Sequence, residues 1–194
     1  MVRRPAARAA AFCIFHSVPY WAAMSAASAE FWLTRWLLGP DTAWGAAVRS
    51  GPVAAAGLAV ALLGLAVRYW AMAEAARSFH HIVQHDRPDA HRLVTTGPYA
   101  WSRHPSYVGW AVWAVGTQLM LGNAVCAPLY AAASVAFFSA RVPGEEHALL
   151  RWYGMEYVRY AARVPRMLPL VAGSEALNEA VRAVREAASA AREE

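Results

Sequence analysis

Apolar runs long enough to cross a bilayer, separated by short polar clusters, dominate the pattern of this chain. Residues 9–29 form the first run, which at ~1.5 Å per residue reaches across a hydrocarbon core of ~30 Å. Arg3, Arg4 and Arg8 precede it and Ala26-Ala27-Ser28-Ala29 close it, an arrangement that imitates a cleavable signal peptide. His16 and Pro19 interrupt the apolar core, so the segment is read as a retained first helix. Phe31, Trp32, Trp36 and Trp44 follow, interspersed with Arg35, Asp41 and Arg49 like an interfacial aromatic belt. The second run, residues 53–72, is rich in Ala, Leu, Val and Gly. Gly57 and Gly64 stand one heptad apart in it, where small residues let another helix approach closely.

Two shorter runs, 107–122 and 124–140, meet at Gly122-Asn123, a strong turn signal, and read as a helical hairpin. Each is barely span-length, so the hairpin either packs on the other helices or crosses the bilayer itself. Residues 144–163 predict a separate helix that starts after Pro143, with Glu145 and Glu146 in its first turn, where carboxylates favour the positive helix end. Trp152, Tyr153, Tyr157 and Tyr160 give that helix an aromatic flank suited to lipid headgroups. From Ser174 the composition changes to Ala, Glu and Arg, with Leu177, Val181, Val184 and Ala188 as one narrow stripe. This predicts a solvated or interfacial tail helix. The chain thus divides into N-terminal membrane helices (1–78), a central region carrying the hairpin (79–170, hairpin 107–140) and a charged helical tail (171–194). The expected fold is all-α, a polytopic transmembrane bundle without internal repeats.

Composition strengthens the membrane reading. Of 194 residues, 58% are hydrophobic and only 16% charged, where soluble domains carry about 25% charged residues. Every basic side chain is Arg and none is Lys, with a net charge of +5. Because the Arg residues flank apolar segments, this charge is read as surface facing anionic headgroups, not nucleic acid. Arg3, Arg4 and Arg8, then Arg77, Arg87, Arg92 and Arg103, then Arg141 and the C-terminal third would share one side, cytoplasmic by the positive-inside rule. Cys13 and Cys126 lie in apolar runs and offer neither a disulfide framework nor metal spacing.

Polar groups concentrate between residues 84 and 146: Gln84, His85, Asp86 and His91, then Thr95-Thr96-Gly97-Pro98-Tyr99, then Arg103-His104-Pro105-Ser106-Tyr107, and finally Arg141, Glu145 and Glu146. Ionisable groups beside membrane helices are costly unless paired or used. Pro98 and Pro105 push Gly97 and His104 out of helical geometry and leave backbone groups available to a ligand. Arg141 and Glu145 are four apart and share a face if the helix continues through Pro143. His80, His81, His85 and His91 offer a metal reading, with Glu145 or Glu146 to complete the set. Membrane di-iron enzymes need several such clusters and this chain has one. No metal is assigned, and His80, His81 and His85 are read as polar caps at a headgroup boundary.

The run HRLVTTGPYAWSRHPSYVGWAVWAVGTQLMLGN, followed by FFSARVPGEEHALLRWYGMEYVRYAARVP, resembles the isoprenylcysteine carboxyl methyltransferase family of membrane enzymes. The resemblance covers residues 79–169, nearly half the chain. It implies a C-terminal helical and loop pocket in which S-adenosylmethionine is held by Gln84, by the strand-like His91, Arg92, Leu93 and Val94, by Tyr99, by His104, Pro105, Ser106 and Tyr107, and by Glu145. It further implies that Arg141 meets the substrate carboxylate. The departures are Ala124, where the family often has Pro, and Pro143-Gly144, where acidic or polar residues are common.

These roles suit the side chains. An extended segment offers backbone groups to an adenine edge, aromatic rings cover a purine or a sulfonium, and a carboxylate takes hydroxyls or an ammonium. A guanidinium orients a carboxylate through paired hydrogen bonds. The implied activity is methyl transfer to a lipophilic acceptor, a carboxylate of the prenylcysteine type first. Since an α-carboxyl group ionises near pH ~3.5, such an acceptor needs no general base. The alternatives are N-methylation of a phospholipid amine, for which Glu146 or His104 is the candidate base, and NADPH-dependent reduction of the sterol type, with Arg87, Arg92 and Arg103 for the 2′-phosphate. A non-enzymatic membrane scaffold ranks last. The absence of a G-x-G-x-x-G loop disfavours a soluble Rossmann-type methyltransferase.

Overall fold

The computed structural model describes residues 18–38, 42–48, 50–76 and 92–193, among which all regular structure is helical. Seven α-helices follow in order: α1 (Val18–Leu37), α2 (Ala43–Val48), α3 (Gly51–Ala75), α4 (Pro105–Leu121), α5 (Cys126–Tyr153), α6 (Met155–Arg163) and α7 (Glu175–Glu193), with a short 3₁₀ turn at Gly97–Ala100 between α3 and α4. Helix α1 carries the second half of the expected first span and continues through Phe31, Trp32 and Trp36, so that aromatic belt rides on a helix. Trp32 and Trp36 are exposed on it. Among the described residues, α3 is the one helix both long and apolar enough to cross a membrane, with a mean hydropathy of 1.7 over its span-length window. Leu58, Leu62, Leu63, Tyr69 and Trp70 point out from it.

Glycines let α3 and α4 pack with their backbones close together. Helices α3 and α4 pack antiparallel. A Cβ at Gly57 would meet the backbone of Leu119 and Met120, and one at Gly116 would lie 2.5 Å from the nitrogen of Ala61. Helix α4 ends at Gly122, whose φ of 71° is left-handed and whose N–H donates to the carbonyls of Gln118 and Leu119. The hairpin tip is then tied to α1. The Asn123 amide donates to the carbonyl of Ala27 (3.0 Å), and Glu30 accepts from the backbone N–H groups of Val125 and Cys126 (2.7 Å each). Arg35 donates to the carbonyl of Leu121 at the other helix end. A carboxylate at the start of α5 and a guanidinium at the end of α4 each complement the local helix dipole.

Helix α5 differs from the expected pair of shorter elements. It runs 28 residues without a break, with Pro143 inside it. Proline lacks the N–H that the carbonyl four residues earlier would accept, a cost of about 3 kcal/mol in a helix interior. The flanking residues are held by packing: Phe138 and Val142 are buried against Leu168 and Val171, with Tyr107 and Trp110 alongside. Glu145 and Glu146 therefore lie mid-helix, and the expected advantage of carboxylates at a helix start does not apply. The break comes later, at Gly154, which takes a left-handed φ of 51°.

The C-terminal helices are also more integrated than their composition suggests. Tyr157, Val158, Tyr160 and Ala161 of α6 form a buried cluster with Val164 and with Leu177 of α7, and Val181 and Val184 pack against it. The narrow stripe of α7 is thus a core face. The tyrosines expected at headgroups point inward.

Candidate active site

A cleft forms where the segment leading into α4 crosses α5 and α6. Its walls are Arg92, Leu93 and Val94 from irregular chain, Tyr99 from the 3₁₀ turn, Arg103 to Tyr107 at the start of α4, Glu145 and Leu149 from α5, Tyr157 and Tyr160 from α6, and Ala75 at the end of α3. Proline sets the local backbone twice, since Pro98 and Pro105 each stand in the first turn of a helical element, where a missing N–H costs nothing. Gly97 is left-handed at φ 56°, and a Cβ there would lie 2.9 Å from the carboxyl carbon of Glu74. Thr96 donates to that same carboxylate at 2.6 Å, fixing the loop to α3. Tyr160 donates to the carbonyl of Tyr99 (2.7 Å), and Arg68 of α3 donates to Ser106.

At the rim, Arg141 and Glu145 stand one helical turn apart, with Nε 3.8 Å from Oε2. The Tyr107 hydroxyl lies between them: Arg141 Nε donates to it (2.6 Å) and it donates to Glu145. The i,i+4 pairing expected for a helix continuing through Pro143 is therefore present. The Tyr107 ring stacks on Phe138, with centroids 4.6 Å apart, and lies parallel to the His104 imidazole. Burial, reinforced by the carboxylates of Glu145 and Glu74, pushes the Tyr99 phenol up to about 12. Burial likewise raises Tyr160 and Tyr157. All three stay protonated at neutral pH.

Behind the cleft lies a charge cluster centred on Glu146, whose side chain is fully buried. Arg103 Nη2 approaches its Oε1 at 3.3 Å and His104 Nε2 at 3.4 Å; Arg166 Nη1 approaches its Oε2 at 3.5 Å and the Ser174 N–H donates there at 3.0 Å. The same strap is pinned by the Ser102 hydroxyl, which donates to the carbonyl of Arg166, and by the Arg103 N–H, which donates to that of Pro165. Glu146 does not line the cleft. Two cleft atoms are buried without a hydrogen-bond partner among the described residues, Arg103 Nε and the Tyr157 hydroxyl.

The cleft brings together Arg92, Leu93, Val94, Tyr99, His104, Pro105, Ser106, Tyr107 and Glu145 from the expected set. Arg141 joins through Tyr107. Gln84 and His91, like the other histidines of the metal reading, lie outside the described residues. Arg92 to Val94, expected to be strand-like, carry no regular secondary structure. Tyr157, Tyr160 and Leu149 had not been expected in the cleft. Tyr157, Tyr160 and Ala161 share one face of α6 while Glu156, Arg159 and Arg163 take the other, so helical periodicity alone carried a signal for an inward face.

Residues 57–151, which span this cleft's main walls, match the sequence profile of the isoprenylcysteine carboxyl methyltransferase (ICMT) family. A solved structure of the eukaryotic intramembrane Ras methyltransferase ICMT superposes with a TM-score of 0.78 at 37% identity, covering 85% of this chain and 57% of that one. Over nearly half its length this chain is similar to the isoprenylcysteine carboxyl methyltransferase family. It is 40% identical over 164 residues to protein-S-isoprenylcysteine O-methyltransferase of Rattus norvegicus, covering 84% of this chain and 55% of the rat protein. It is 46% identical over 117 residues to the Xenopus laevis protein of that name, covering 60% of this chain and 41% of the other. Similarity to protein-S-isoprenylcysteine O-methyltransferase B of Arabidopsis thaliana is 45% over 115 residues, with 59% and 58% covered. The chain spans about half the length of these family members.

Proposed function

We propose that this chain is a multi-pass integral membrane methyltransferase that transfers a methyl group from S-adenosylmethionine to a lipophilic acceptor, a carboxylate of the prenylcysteine type, forming a methyl ester. One observation carries the reading: Arg141 and Glu145 stand one turn apart at the cleft rim, with the Tyr107 hydroxyl between them. A cation for the acceptor and a carboxylate for the cofactor are thereby set side by side.

The cleft fits the cofactor in kind. Backbone groups at Arg92 to Val94 would suit an adenine edge, the rings of Tyr99 and Tyr107 suit a purine and a cationic sulfur, and Glu145 suits ribose hydroxyls or an ammonium. His104, Pro105 and Ser106 complete the wall, and Gln84 and His91 precede it in sequence. When bound, S-adenosylmethionine supplies a methyl group carried on a positively charged sulfur. The chain's own part is to hold the acceptor. Arg141 pairs with its carboxylate, which is already ionised, so no proton is removed. Alignment and exclusion of water then supply the rate.

The amine alternative would need a base. Glu146 is sealed among Arg103, His104, Arg166 and the Ser174 N–H, away from the cleft, which makes it a positioning residue and favours the carboxylate acceptor. The arginines beside the cleft support a cytoplasmic-side site by the positive-inside rule. The test is transfer of labelled methyl to prenylcysteine analogues and to extracted lipids, with Arg141→Ala and Glu145→Ala beside the unaltered protein. Arg141→Ala should abolish carboxylate methylation while S-adenosylhomocysteine still binds, and Glu145→Ala should weaken that binding. Absence of S-adenosylhomocysteine binding by the unaltered protein would refute the reading.

A further inference from the structure

Two polar groups in the cleft wall are deeply buried and unsatisfied among the described residues. The Tyr157 side chain is 1% exposed and that of Arg103 is 7% exposed, yet the tyrosine hydroxyl and Arg103 Nε find no hydrogen-bond partner. Buried polar atoms in folded proteins are nearly always paired, so two orphans in one cleft point to a group that arrives from outside. Both side chains line the same cleft. They come from different elements, Arg103 from the bend just before α4 and Tyr157 from α6.

Their chemistry selects the group. A guanidinium is donor only, and a protonated phenol beside it has a hydrogen to give. The surroundings add a sign: Arg103 and Arg166 both approach the single carboxylate of Glu146, so two guanidinium charges face one negative charge and one positive charge is left over. That excess favours an anion. On the rim, by contrast, the carboxylate of Glu145 can only accept. S-adenosylmethionine carries one anionic group, the carboxylate of its amino-acid moiety.

We infer that Arg103 and Tyr157, both in the cleft wall, form the subsite for the cofactor carboxylate. The inference rests on the proposed cofactor. It gives Arg103 two tasks, pairing with Glu146 through Nη2 and donating to the ligand through Nε. It also explains why Glu146 is sealed: the carboxylate holds Arg103 in place without competing for the face that meets the ligand.

The test is equilibrium binding, followed calorimetrically, of S-adenosylhomocysteine and of its decarboxylated analogue, which keeps the adenosine, the thioether and the amine. The unaltered protein should bind the decarboxylated analogue at least tenfold more weakly, about what one hydrogen bond to a charged group is worth. Tyr157→Phe, which removes one oxygen and keeps the ring in its packing, should weaken S-adenosylhomocysteine about tenfold and leave the analogue unchanged. Arg103→Lys, which keeps the charge opposite Glu146, should behave in the same way. Equal affinity of the unaltered protein for the two ligands overturns the inference, as does equal weakening of both by Tyr157→Phe. The ligand comparison uses unaltered protein and so decides the matter even if a variant misfolds. Failure of the unaltered protein to bind S-adenosylhomocysteine at all removes the cofactor reading itself, a result distinct from either of the others.

Discussion

Gly64 and Gly109 face each other across the α3–α4 contact, each placed where a Cβ would collide with the other's carbonyl oxygen, at 2.7 and 2.6 Å. That reciprocity lets the two backbones touch, and it brings Arg68 within reach of Ser106 at the cleft. Alanine at Gly109 should cost about 1–3 kcal/mol through overpacking. Thermal unfolding in detergent would measure it. Gly144 is the contrast, with open space around its Cβ position, mid-helix in α5; alanine there should stabilise by about 0.5–1 kcal/mol.

Among the described residues, Glu146 is the one carboxylate in contact with the buried cluster of Arg103, His104 and Arg166. Glu146→Gln would leave Arg103 charged and enclosed, and breaking a buried pair from one side costs about 3–5 kcal/mol. We expect a large fall in melting temperature. Arg166, more exposed, should tolerate Arg166→Gln with a smaller loss, and equal losses for the two would contradict this ranking.

Removal of the Tyr107 hydroxyl separates holding from binding. Arg141 donates to that oxygen and the oxygen donates to Glu145. In Tyr107→Phe the arginine loses its nearest acceptor while the ring still stacks on Phe138. The KM for a prenylcysteine acceptor should rise about tenfold, as one charge-assisted hydrogen bond allows, with the S-adenosylhomocysteine affinity altered less. Steady-state kinetics alongside calorimetry would check this.

Tyr99 predicts an alkaline limit. Its folded value of about 12 lies above the usual value of 10, so its contribution to stability is full below pH ~10 and is lost as the pH rises through the folded value. Unfolding followed by circular dichroism between these limits should show stability falling, and Tyr99→Phe should lessen the fall. An unchanged profile in the variant would assign the loss to other tyrosines.

The sequence made the helical architecture plain because long apolar runs and the Gly122-Asn123 turn are strong local signals. The cleft was legible where residues are contiguous, from Arg92 to Val94 and from His104 to Tyr107. Two things were not. Pro143 reads locally as a helix boundary, but the burial of Phe138 and Val142 against Leu168 and Val171 carries α5 through it, and no local pattern reports tertiary packing. Tyr157 and Tyr160 read as headgroup aromatics because their partners, Leu177 and the Tyr99 carbonyl, are distant in sequence.

The unbroken α5 has a mechanical consequence. Its N-terminus is gripped by Glu30 of α1, and Arg141 lies fifteen residues further along the same rod, ~22 Å away, so a ~5° tilt about the gripped end would carry the guanidinium ~2 Å. A hinge between Cys126 and Arg141 would have absorbed such motion. In its absence, bilayer thickness, which sets the tilt of helices in lipid, becomes a lever arm on the spacing between acceptor and cofactor.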